Sequence, residues 1–255
     1  MDEFCRIVLA GGYGTRLGDI GKNTAKPLLA LGNKTILDYV TDRIDELNTP
    51  SSILVLINSL FREKFEQWLT QRRHSTNISL INNQESSESA IPDIITNIAL
   101  TLERQEISSD LLLVGADNLF DFSLSAFVPF GRANGISTIV VDVGSQRDAE
   151  RFSVVELGED QRIVKLIEKP KSPSSTTVTS CIYWFPASTL GLFRRYLHTG
   201  ASPDTIGEFM EWVAQQEPVY GYRAVGCWQD IGTVEDYEIA LSRTLSSPSW
   251  LPGIR

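Results

Sequence analysis

The stretch LAGGYGTRLGDIGKNTAKPLLAL, residues 9–31, combines glycines with positively charged side chains close to the start of the sequence. It contains five glycines and three cations, Arg16, Lys22 and Lys26. Glycines let backbone N–H groups approach a ligand closely, and clustered amides with nearby cations suit phosphate oxygens. The residue types in this stretch therefore predict a phosphate-binding loop.

The two commonest phosphate-binding motifs do not fit this loop. A P-loop ending at Gly21-Lys22 would need glycine where Arg16 stands and Ser or Thr where Asn23 stands. A dinucleotide fingerprint would need its third glycine at Leu17, and the second apolar run ends at Asn58 without the acidic residue that binds ribose. The pattern therefore does not favour a kinase, an ATPase or a dehydrogenase.

The elements that must position this loop alternate between strands and helices in the first half of the chain. Short apolar runs predict buried strands, and apolar stripes at helical spacing predict the helices between them. Strands are expected at 4–10, 53–57, 78–81 and 111–114, with helices at 35–47, 61–69 and 91–102. This order predicts a mostly parallel sheet with helices on both faces, which binds ligands at the carboxyl ends of its strands.

The second half of the chain has a different pattern, in which strands follow one another with short turns. Strands are expected at 136–141, 152–156, 163–168, 178–185 and 219–223, with helices at 190–197, 206–215 and 234–241. Successive strands favour an antiparallel or mixed arrangement. The predicted fold class is therefore α/β, with a Rossmann-like mostly parallel central sheet and a smaller lobe of mixed strands.

Composition excludes several classes of function. The formal net charge of −9 disfavours nucleic acid as a partner. No apolar stretch approaches the ~20 residues that a membrane span needs, and the first residues do not form a signal peptide. The three cysteines are widely spaced, which argues against zinc, and they are expected to be small buried residues. A cytoplasmic protein is expected.

Four motifs in the chain resemble those of the sugar-phosphate nucleotidyltransferases, of which the glucose-1-phosphate thymidylyltransferases are the best-known branch. The resemblance runs through nearly the whole chain. The motifs are Leu9-Ala10-Gly11-Gly12-x-Gly14-Thr15-Arg16-Leu17 with Lys26-Pro27-Leu28, Gly115-Ala116-Asp117-Asn118, Glu168-Lys169-Pro170, and Trp228-Gln229-Asp230-Ile231-Gly232-Thr233.

The resemblance implies a reaction and its substrates. The enzyme would transfer a nucleotidyl group from a nucleoside triphosphate to a sugar 1-phosphate, giving an NDP-sugar and pyrophosphate, with Mg²⁺ as cofactor. Such a transfer depends mostly on positioning and on charge neutralisation. It also implies one nucleotidyltransferase domain over 1–255, with a nucleotide-binding half at 1–135, a sugar-binding half at 136–243 and a loose tail at 244–255.

The resemblance further implies roles for individual residues. The implied nucleotide-binding residues are Leu9, Ala10, Gly11, Gly12, Gly14, Thr15, Arg16, Lys26 and Gln84. The implied sugar-phosphate-binding residues are Asn118, Ser153, Glu168, Lys169, Ser180 and Asp230. Arg16, Lys26 and Asp117 would be catalytic, and the carboxylates of Asp117 and Asp230 would hold Mg²⁺.

Each charged residue among these has a specific expected partner. Arg16 would bind the β- and γ-phosphates and the departing pyrophosphate, whereas Lys26 would reach the α-phosphate. Lys169 would bind the phosphate of the sugar, and Glu168 would accept hydrogen bonds from sugar hydroxyls. Lys22 lies between motif positions and is expected to be only a solvated charge.

Three departures from the family pattern leave the substrates open. The base-reading segment, 83–90 here, lacks the usual proline and glycine, so dTTP, UTP, CTP and GTP all stay possible. Ser153 and Cys181 stand where glycine is common, which suggests a sugar other than plain glucose 1-phosphate, or another pose.

Two other functions and two oligomeric states are kept open. A cytidylyltransferase acting on a non-sugar phosphate such as phosphocholine is one alternative. An inactive relative that serves as a nucleotide-binding regulatory subunit is the other. A long C-terminal helical extension is not expected, and the protein is therefore expected to be a monomer or a homodimer.

Overall fold

In a computed structural model of the chain, the described residues are 3–12, 24–72, 77–84, 93–202 and 204–246, with side chains described to residue 244. Three of the predicted nucleotide-binding residues, Gly14, Thr15 and Arg16, lie outside these ranges, as does Lys22.

Strands and helices are numbered here in chain order over the described residues. The strands are β1 (Cys5–Leu9), β2 (Ala30–Leu31), β3 (Lys34–Thr35), β4 (Ile53–Leu56), β5 (Ile78–Ile81), β6 (Leu111–Gly115), β7 (Asn118–Phe120), β8 (Ser137–Asp142), β9 (Ser153–Leu157), β10 (Ile163–Glu168), β11 (Thr177–Phe185), β12 (Tyr220–Arg223) and β13 (Trp228–Asp230). The helices are α1 (Ile36–Asp45), α2 (Arg62–Gln71), α3 (Ile94–Arg104), α4 (Phe127–Asn134), α5 (Gln146–Ala149), α6 (Gly191–Leu197), α7 (Ile206–Gln216) and α8 (Val234–Ser246). Short 3-10 helices lie at Lys26–Leu28, Ser59–Phe61 and Ala187–Thr189.

The chain divides into two compact units, each assembled from separate segments. The first unit comprises Met1–Ile91, Val114–Leu124 and Val225–Arg255. The second unit comprises Pro92–Leu113 and Ser125–Ala224. The predicted halves, which meet at residue 135, are defined by the ligand that each would bind and not by compactness, and that division stays a prediction.

The first unit contains parallel strands joined by helices. β1 pairs in parallel with β4, and β4 pairs in parallel with β5. The apolar runs form these strands because their side chains are buried: Ile7, Val8, Ile53 and Val55 are fully buried. Parallel pairing brings the carboxyl ends of the three strands to one edge, and Ala10 and Gln84, two of the predicted nucleotide-binding residues, follow β1 and β5 there.

A second apolar cluster of the first unit joins segments that are far apart in the sequence. Its buried members are Leu29, Leu31, Ile36, Tyr39, Leu119, Ile231 and Ala240. Helix α1 begins beside it with a capping box, in which the Thr35 hydroxyl accepts from the Asp38 amide at 3.1 Å and the Asp38 carboxylate accepts from the Thr35 amide at 2.8 Å. The cluster ties the last helix, α8, to the segment that follows the glycine-rich stretch.

The second unit contains mostly antiparallel strands. β9 pairs with both β10 and β11, and β11 pairs with β8, all antiparallel, whereas β12 joins β8 in parallel. Its core is rich in aromatic side chains: Phe193 of α6 stacks on Phe209 of α7, with ring centroids 4.5 Å apart. The expected lobe of mixed strands is thus present, and the predicted mixed α/β class is confirmed.

The structure contains several elements that the sequence patterns did not reveal, among them the one-turn helix α5. The others are helix α4, the β2–β3 hairpin and the short strands β7 and β13. Helix α4 carries a proline and a glycine, which hide its apolar stripe, and the strands of the hairpin are too short for a periodic pattern. Helix α8 also continues to Ser246, past the expected start of a tail at 244.

The three cysteines do not share one environment, contrary to expectation. Cys5 is buried on β1, Cys181 is half-buried, and Cys227 is exposed. Burial raises the pKa of the Cys5 thiol to about 12. Among the helices of the described ranges, none is long and apolar enough to cross a membrane.

Candidate functional site

The first strand of the first unit delivers the start of the glycine-rich stretch to the carboxyl edge of the sheet. The backbone N–H of Ala10 donates to the Leu56 carbonyl at 2.9 Å, and the Gly11 carbonyl accepts from the Asn58 side chain at 3.0 Å. Asn58 is fully buried, so it fixes the direction in which the chain leaves β1. In the sequence, Asn58 is notable only because no acidic residue stands there, and no local pattern indicates its contact with Gly11.

Gly11 and Gly12 are not required by the packing of the described residues. A Cβ on Gly11 would lie 3.7 Å from its nearest neighbours, an ordinary contact, and a Cβ on Gly12 would meet nothing within 4 Å. Neither glycine has a positive φ. Their proposed role as donors to a triphosphate therefore rests on the resemblance and on their place at the strand end.

Lys26 and Asp117 form an ion pair across 91 residues of sequence. The Lys26 ammonium lies 2.5 Å from Oδ2 of Asp117, and the two side chains are 16% and 31% exposed. Lys26 begins a 3-10 helix whose second residue, Pro27, is buried, whereas Asp117 follows shortly after β6. The fold thus brings together two residues that the motifs placed far apart.

The other oxygen of Asp117 is held through Asn118 and Trp228. The side-chain amide of Asn118 donates from Nδ2 to Oδ1 of Asp117 at 2.8 Å, and the indole N–H of Trp228 donates to Oδ1 of Asn118 at 2.9 Å. Asn118 is 1% exposed, so this orientation is fixed by packing as well as by hydrogen bonds. The carboxylate of Asp117 is therefore held in one orientation by three side chains.

Asp230 reaches the same place through a short antiparallel ladder. β13 pairs with β7 so that Asp230 lies opposite Asn118, and the Ile231 amide donates to the Asp117 carbonyl at 2.9 Å. Two carboxylates on adjoining positions offer the hard oxygen ligands that Mg²⁺ prefers, with water and phosphate oxygens completing its coordination. This donor set fits Mg²⁺. Over the described ranges no group of three or more His, Cys, Asp or Glu could hold a metal.

The Gly232-Thr233 part of the last motif has a structural use that the sequence did not reveal. The Asp236 carboxylate accepts from the Gly232 amide at 3.1 Å, the Thr233 amide at 2.8 Å and the Thr233 hydroxyl at 2.9 Å. The Asp236 amide donates back to the Thr233 hydroxyl at 3.2 Å. These bonds cap the start of α8 and fix the chain just after Asp230.

Gln84, the predicted base-contacting residue, lies just beyond β5. Its side-chain oxygen accepts from the Ser59 hydroxyl, and its backbone amide donates to the Asn82 side chain at 3.1 Å. Ser59 belongs to the 3-10 helix that follows β4, so Gln84 is held at the same carboxyl edge as Ala10.

Three of the predicted sugar-site residues meet in the second unit. Ser153 of β9 lies opposite Glu168 of β10 in the antiparallel register, and its hydroxyl donates to Oε2 of Glu168. The Lys169 ammonium lies 2.8 Å from Oε1 of Glu168. The Glu168 amide donates to the Glu211 carboxylate of α7 at 2.9 Å, a contact that no motif indicated. The Glu168 side chain is only 12% exposed, whereas that of Lys169 is 43% exposed.

Ser180 is not brought into the same arrangement. It is fully buried on β11, and its hydroxyl donates to the Ile139 carbonyl of β8 at 3.0 Å. Nearby, burial raises the pKa of Tyr183 well above its ordinary value, with Cys181 and Glu168 adding to the effect. The Tyr183 phenol is therefore neutral, and the Ser180 hydroxyl forms a hydrogen bond within the sheet.

Comparison with known proteins places the whole of this arrangement in one family. A model of the nucleotidyl transferase family matches residues 5–247. The chain belongs to this family. The match spans both units and includes every predicted site residue, so the family resemblance expected from the motifs is confirmed.

Curated relatives of the chain bear different names within the family. The chain is 28% identical over 245 residues to the mannose-1-phosphate guanylyltransferase catalytic subunit beta of Drosophila pseudoobscura pseudoobscura, covering 94% of this chain and 62% of that protein. It is 22% identical over 226 residues to the bifunctional protein GlmU of Methanocaldococcus jannaschii, covering 89% of this chain and 50% of that protein. The chain thus spans about half to two thirds of the length of these relatives.

A solved structure shows the fold. The chain superposes with a TM-score of 0.79 on a Bacillus anthracis protein assigned as a glucose-1-phosphate thymidylyltransferase and solved with sucrose. The match covers 94% of each chain at 20% identity. The predicted Rossmann-like α/β fold is thereby confirmed.

Proposed function

We propose that this chain transfers a nucleotidyl group from a nucleoside triphosphate to a sugar 1-phosphate in the presence of Mg²⁺. The observation that carries the proposal is the arrangement around Asp117. Its two oxygens are bound by Lys26 and Asn118, and Asp230 lies on the strand paired with Asn118. Membership of the family and the names of the relatives support the sugar-nucleotide class.

In the proposed reaction, an oxygen of the sugar phosphate attacks the α-phosphorus of the nucleotide. The bond from that phosphorus to the bridging oxygen of pyrophosphate breaks, and pyrophosphate leaves with the bond's electron pair. Asp117 and Asp230 would hold Mg²⁺, which supplies positive charge against the phosphate oxygens. Catalysis then depends on residues that position charged groups and neutralise them.

The chain's own residues have distinct proposed tasks in this reaction. Lys26, already held beside Asp117, would orient the α-phosphate, while Asn118 and Trp228 keep the Asp117 carboxylate from turning. In the second unit, Glu168 would accept hydrogen bonds from sugar hydroxyls, and Lys169 would bind the sugar's phosphate. The roles of Gly14, Thr15 and Arg16 toward the triphosphate stay predictions from the motif.

The identities of the nucleotide and of the sugar 1-phosphate are tested by assaying pairs of substrates. We expect pyrophosphate release from a matrix of dTTP, UTP, CTP and GTP against several sugar 1-phosphates, with chelation by EDTA abolishing release and added Mg²⁺ restoring it. No release from any pair would contradict the proposal and favour a regulatory nucleotide-binding role. Release with CTP and phosphocholine alone would instead favour the cytidylyltransferase alternative.

Asp117→Asn tests the assignment of the carboxylate. The substitution keeps the shape of the side chain but removes its charge, and we expect pyrophosphate release to fall ~100-fold or more, as for loss of one preorganised electrostatic group. Asp160→Asn is the matched control, because Asp160 lies in the β9–β10 turn, where an amide oxygen can still accept from the Arg162 amide. Circular dichroism spectra should match the wild type for both variants. Full activity of Asp117→Asn would remove Asp117 from the site.

A cytoplasmic location and a monomeric or homodimeric state stay predictions.

A further inference from the structure

Both carboxylate oxygens of Glu168 have partners, and the side chain is mostly buried. One oxygen accepts from the Ser153 hydroxyl, and the other lies 2.8 Å from the Lys169 ammonium. The backbone of Glu168 is fixed as well, because its amide donates to Glu211 at 2.9 Å. The side chain is 12% exposed. A hydrogen-bond acceptor held in this way can discriminate between hydroxyl directions, since it does not turn to follow them.

A glycine on helix α7 makes room for this carboxylate. Gly207 is the second residue of the helix, and a Cβ built on it would overlap the Glu168 carboxyl group and lie 2.7 Å from the Ser153 hydroxyl oxygen. Gly207 has no positive φ, so its backbone conformation does not call for glycine. The space that glycine leaves is filled by the end of the Glu168 side chain.

The start of α7 is also a favourable place for a carboxylate. The first turn of a helix carries unpaired amides and a partial positive charge, which stabilise a nearby anion. Thr205 caps the helix by accepting from the Glu208 amide at 3.2 Å, which fixes the backbone against which Glu168 rests. A side chain at position 207 would push Glu168 away from this position, and because the carboxyl group ends a flexible side chain, the fold would survive.

We propose that Gly207 and Ser153 are positioning residues that fix the direction of the Glu168 carboxylate and thereby set which sugar 1-phosphate is used. The inference rests on the proposed function, in which Glu168 accepts hydrogen bonds from sugar hydroxyls. Ser153 acts on the substrate through Glu168, because its hydroxyl donates to that carboxylate. The substrate class is a sugar 1-phosphate with a hydroxyl directed at Glu168, and hexose epimers are distinguished by that hydroxyl.

The test is the selectivity among epimeric hexose 1-phosphates. The kcat/KM ratio of the best to the next-best substrate is measured for glucose, galactose and mannose 1-phosphates, with the best nucleotide. Gly207→Ala should lower this ratio about tenfold, because the displaced acceptor no longer matches one hydroxyl direction. Gly191→Ala is the control: a Cβ there meets nothing within 4 Å, and the ratio should be unchanged.

Two further variants separate positioning from a general loss of structure. Ser153→Ala removes only the hydroxyl that holds one oxygen of Glu168, and it should also lower the ratio, by several-fold. Glu168→Asp shortens the acid by one methylene and relieves its overlap with a methyl group added at position 207. In the double variant Gly207→Ala with Glu168→Asp, the loss of kcat/KM should therefore be smaller than the product of the two single losses.

The outcomes distinguish this inference from the proposed function. Turnover of the panel by wild type, with the ratio kept within twofold by both Gly207→Ala and Ser153→Ala, would overturn the inference alone. Absence of turnover of every sugar 1-phosphate by wild type would overturn both. A lowered ratio in the two variants, with an unchanged ratio in Gly191→Ala and partial rescue in the double variant, is the result we expect.

Discussion

At the scale of single residues, two of the non-glycine residues with left-handed backbone are Lys169, a predicted sugar-site residue, and Cys181, the neighbour of another. Lys169, with φ of +43°, follows Glu168 at the end of β10, and Cys181, with φ of +58°, follows Ser180 inside β11. Left-handed backbone costs a residue with a Cβ about 1–2 kcal/mol. Cys181 lies where the pairing of β11 with β8 changes register, so the sheet itself imposes this conformation. Glycine, which is common at this position in the family, adopts positive φ without a steric cost.

Replacing Cys181 tests that strain. Cys181→Gly and Cys181→Ala both remove the thiol, but only glycine adopts positive φ without a steric cost. We expect the glycine variant to be about 1 kcal/mol more stable than the alanine variant, measured as the free energy of unfolding in urea. Equal stabilities would show that the backbone at 181 relaxes without cost.

At the scale of elements, helix α4 packs on β11 through a glycine. A Cβ on Gly131 would lie 2.6 and 2.8 Å from atoms of Trp184, whose side chain is fully buried in the core of the second unit. Unlike the end of Glu168, an indole ring at this depth has no free space to move into. Gly131 is therefore required by packing in the core, whereas Gly207 leaves space for the carboxylate of Glu168, a proposed sugar-site residue.

Gly131→Ala should destabilise the protein by about 1–3 kcal/mol, because the added methyl group overpacks the core against Trp184. The sign of this change in the free energy of unfolding is informative, because alanine in a helix interior otherwise stabilises a protein by about 1 kcal/mol relative to glycine. Gly191→Ala, on the open face of α6, provides the comparison and should be neutral or slightly stabilising. Urea unfolding of the three proteins would decide, and a Gly131→Ala variant as stable as wild type would contradict the packing argument.

At the scale of the whole molecule, the chain leaves the first unit and returns to it twice. Val114–Leu124 and Val225–Arg255 belong to the same unit as the first 91 residues. The last segment contributes Ile231 and Ala240, both fully buried, to the cluster around Leu119. It also brings Asp230 to its place opposite Asn118. The proposed site around Asp117 in the first unit therefore depends on residues from nearly the whole length of the sequence.

A fragment of residues 1–135 should not fold stably on its own. It contains the predicted nucleotide-binding half but lacks β13, which pairs with β7, and α8, which completes the apolar cluster. We expect a broad, non-cooperative thermal transition by circular dichroism, against a cooperative transition of the full chain. A sharp transition with native-like secondary structure in the fragment would show that the first half is an independent domain.

The sequence by itself determined the family, the order of most strands and helices, and the identity of the charged residues worth testing. Apolar runs and helical stripes are local patterns, so they predicted β1, β4, β5 and the helices between them without reference to distant residues. Motif spacing likewise excluded the two commoner phosphate loops, because those motifs are defined over adjacent residues.

Only the tertiary structure decided which of these residues meet. Three arrangements join segments that are distant in sequence. They are the ion pair of Lys26 with Asp117, the hydrogen bonds from Trp228 through Asn118 to Asp117, and the space that Gly207 leaves for Glu168. Such contacts depend on strand register and on how a helix packs against a sheet, and neither quantity is encoded in a local pattern. For the same reason the sequence could mark Ser153 as a departure from the family, but only the fold showed that its hydroxyl holds Glu168.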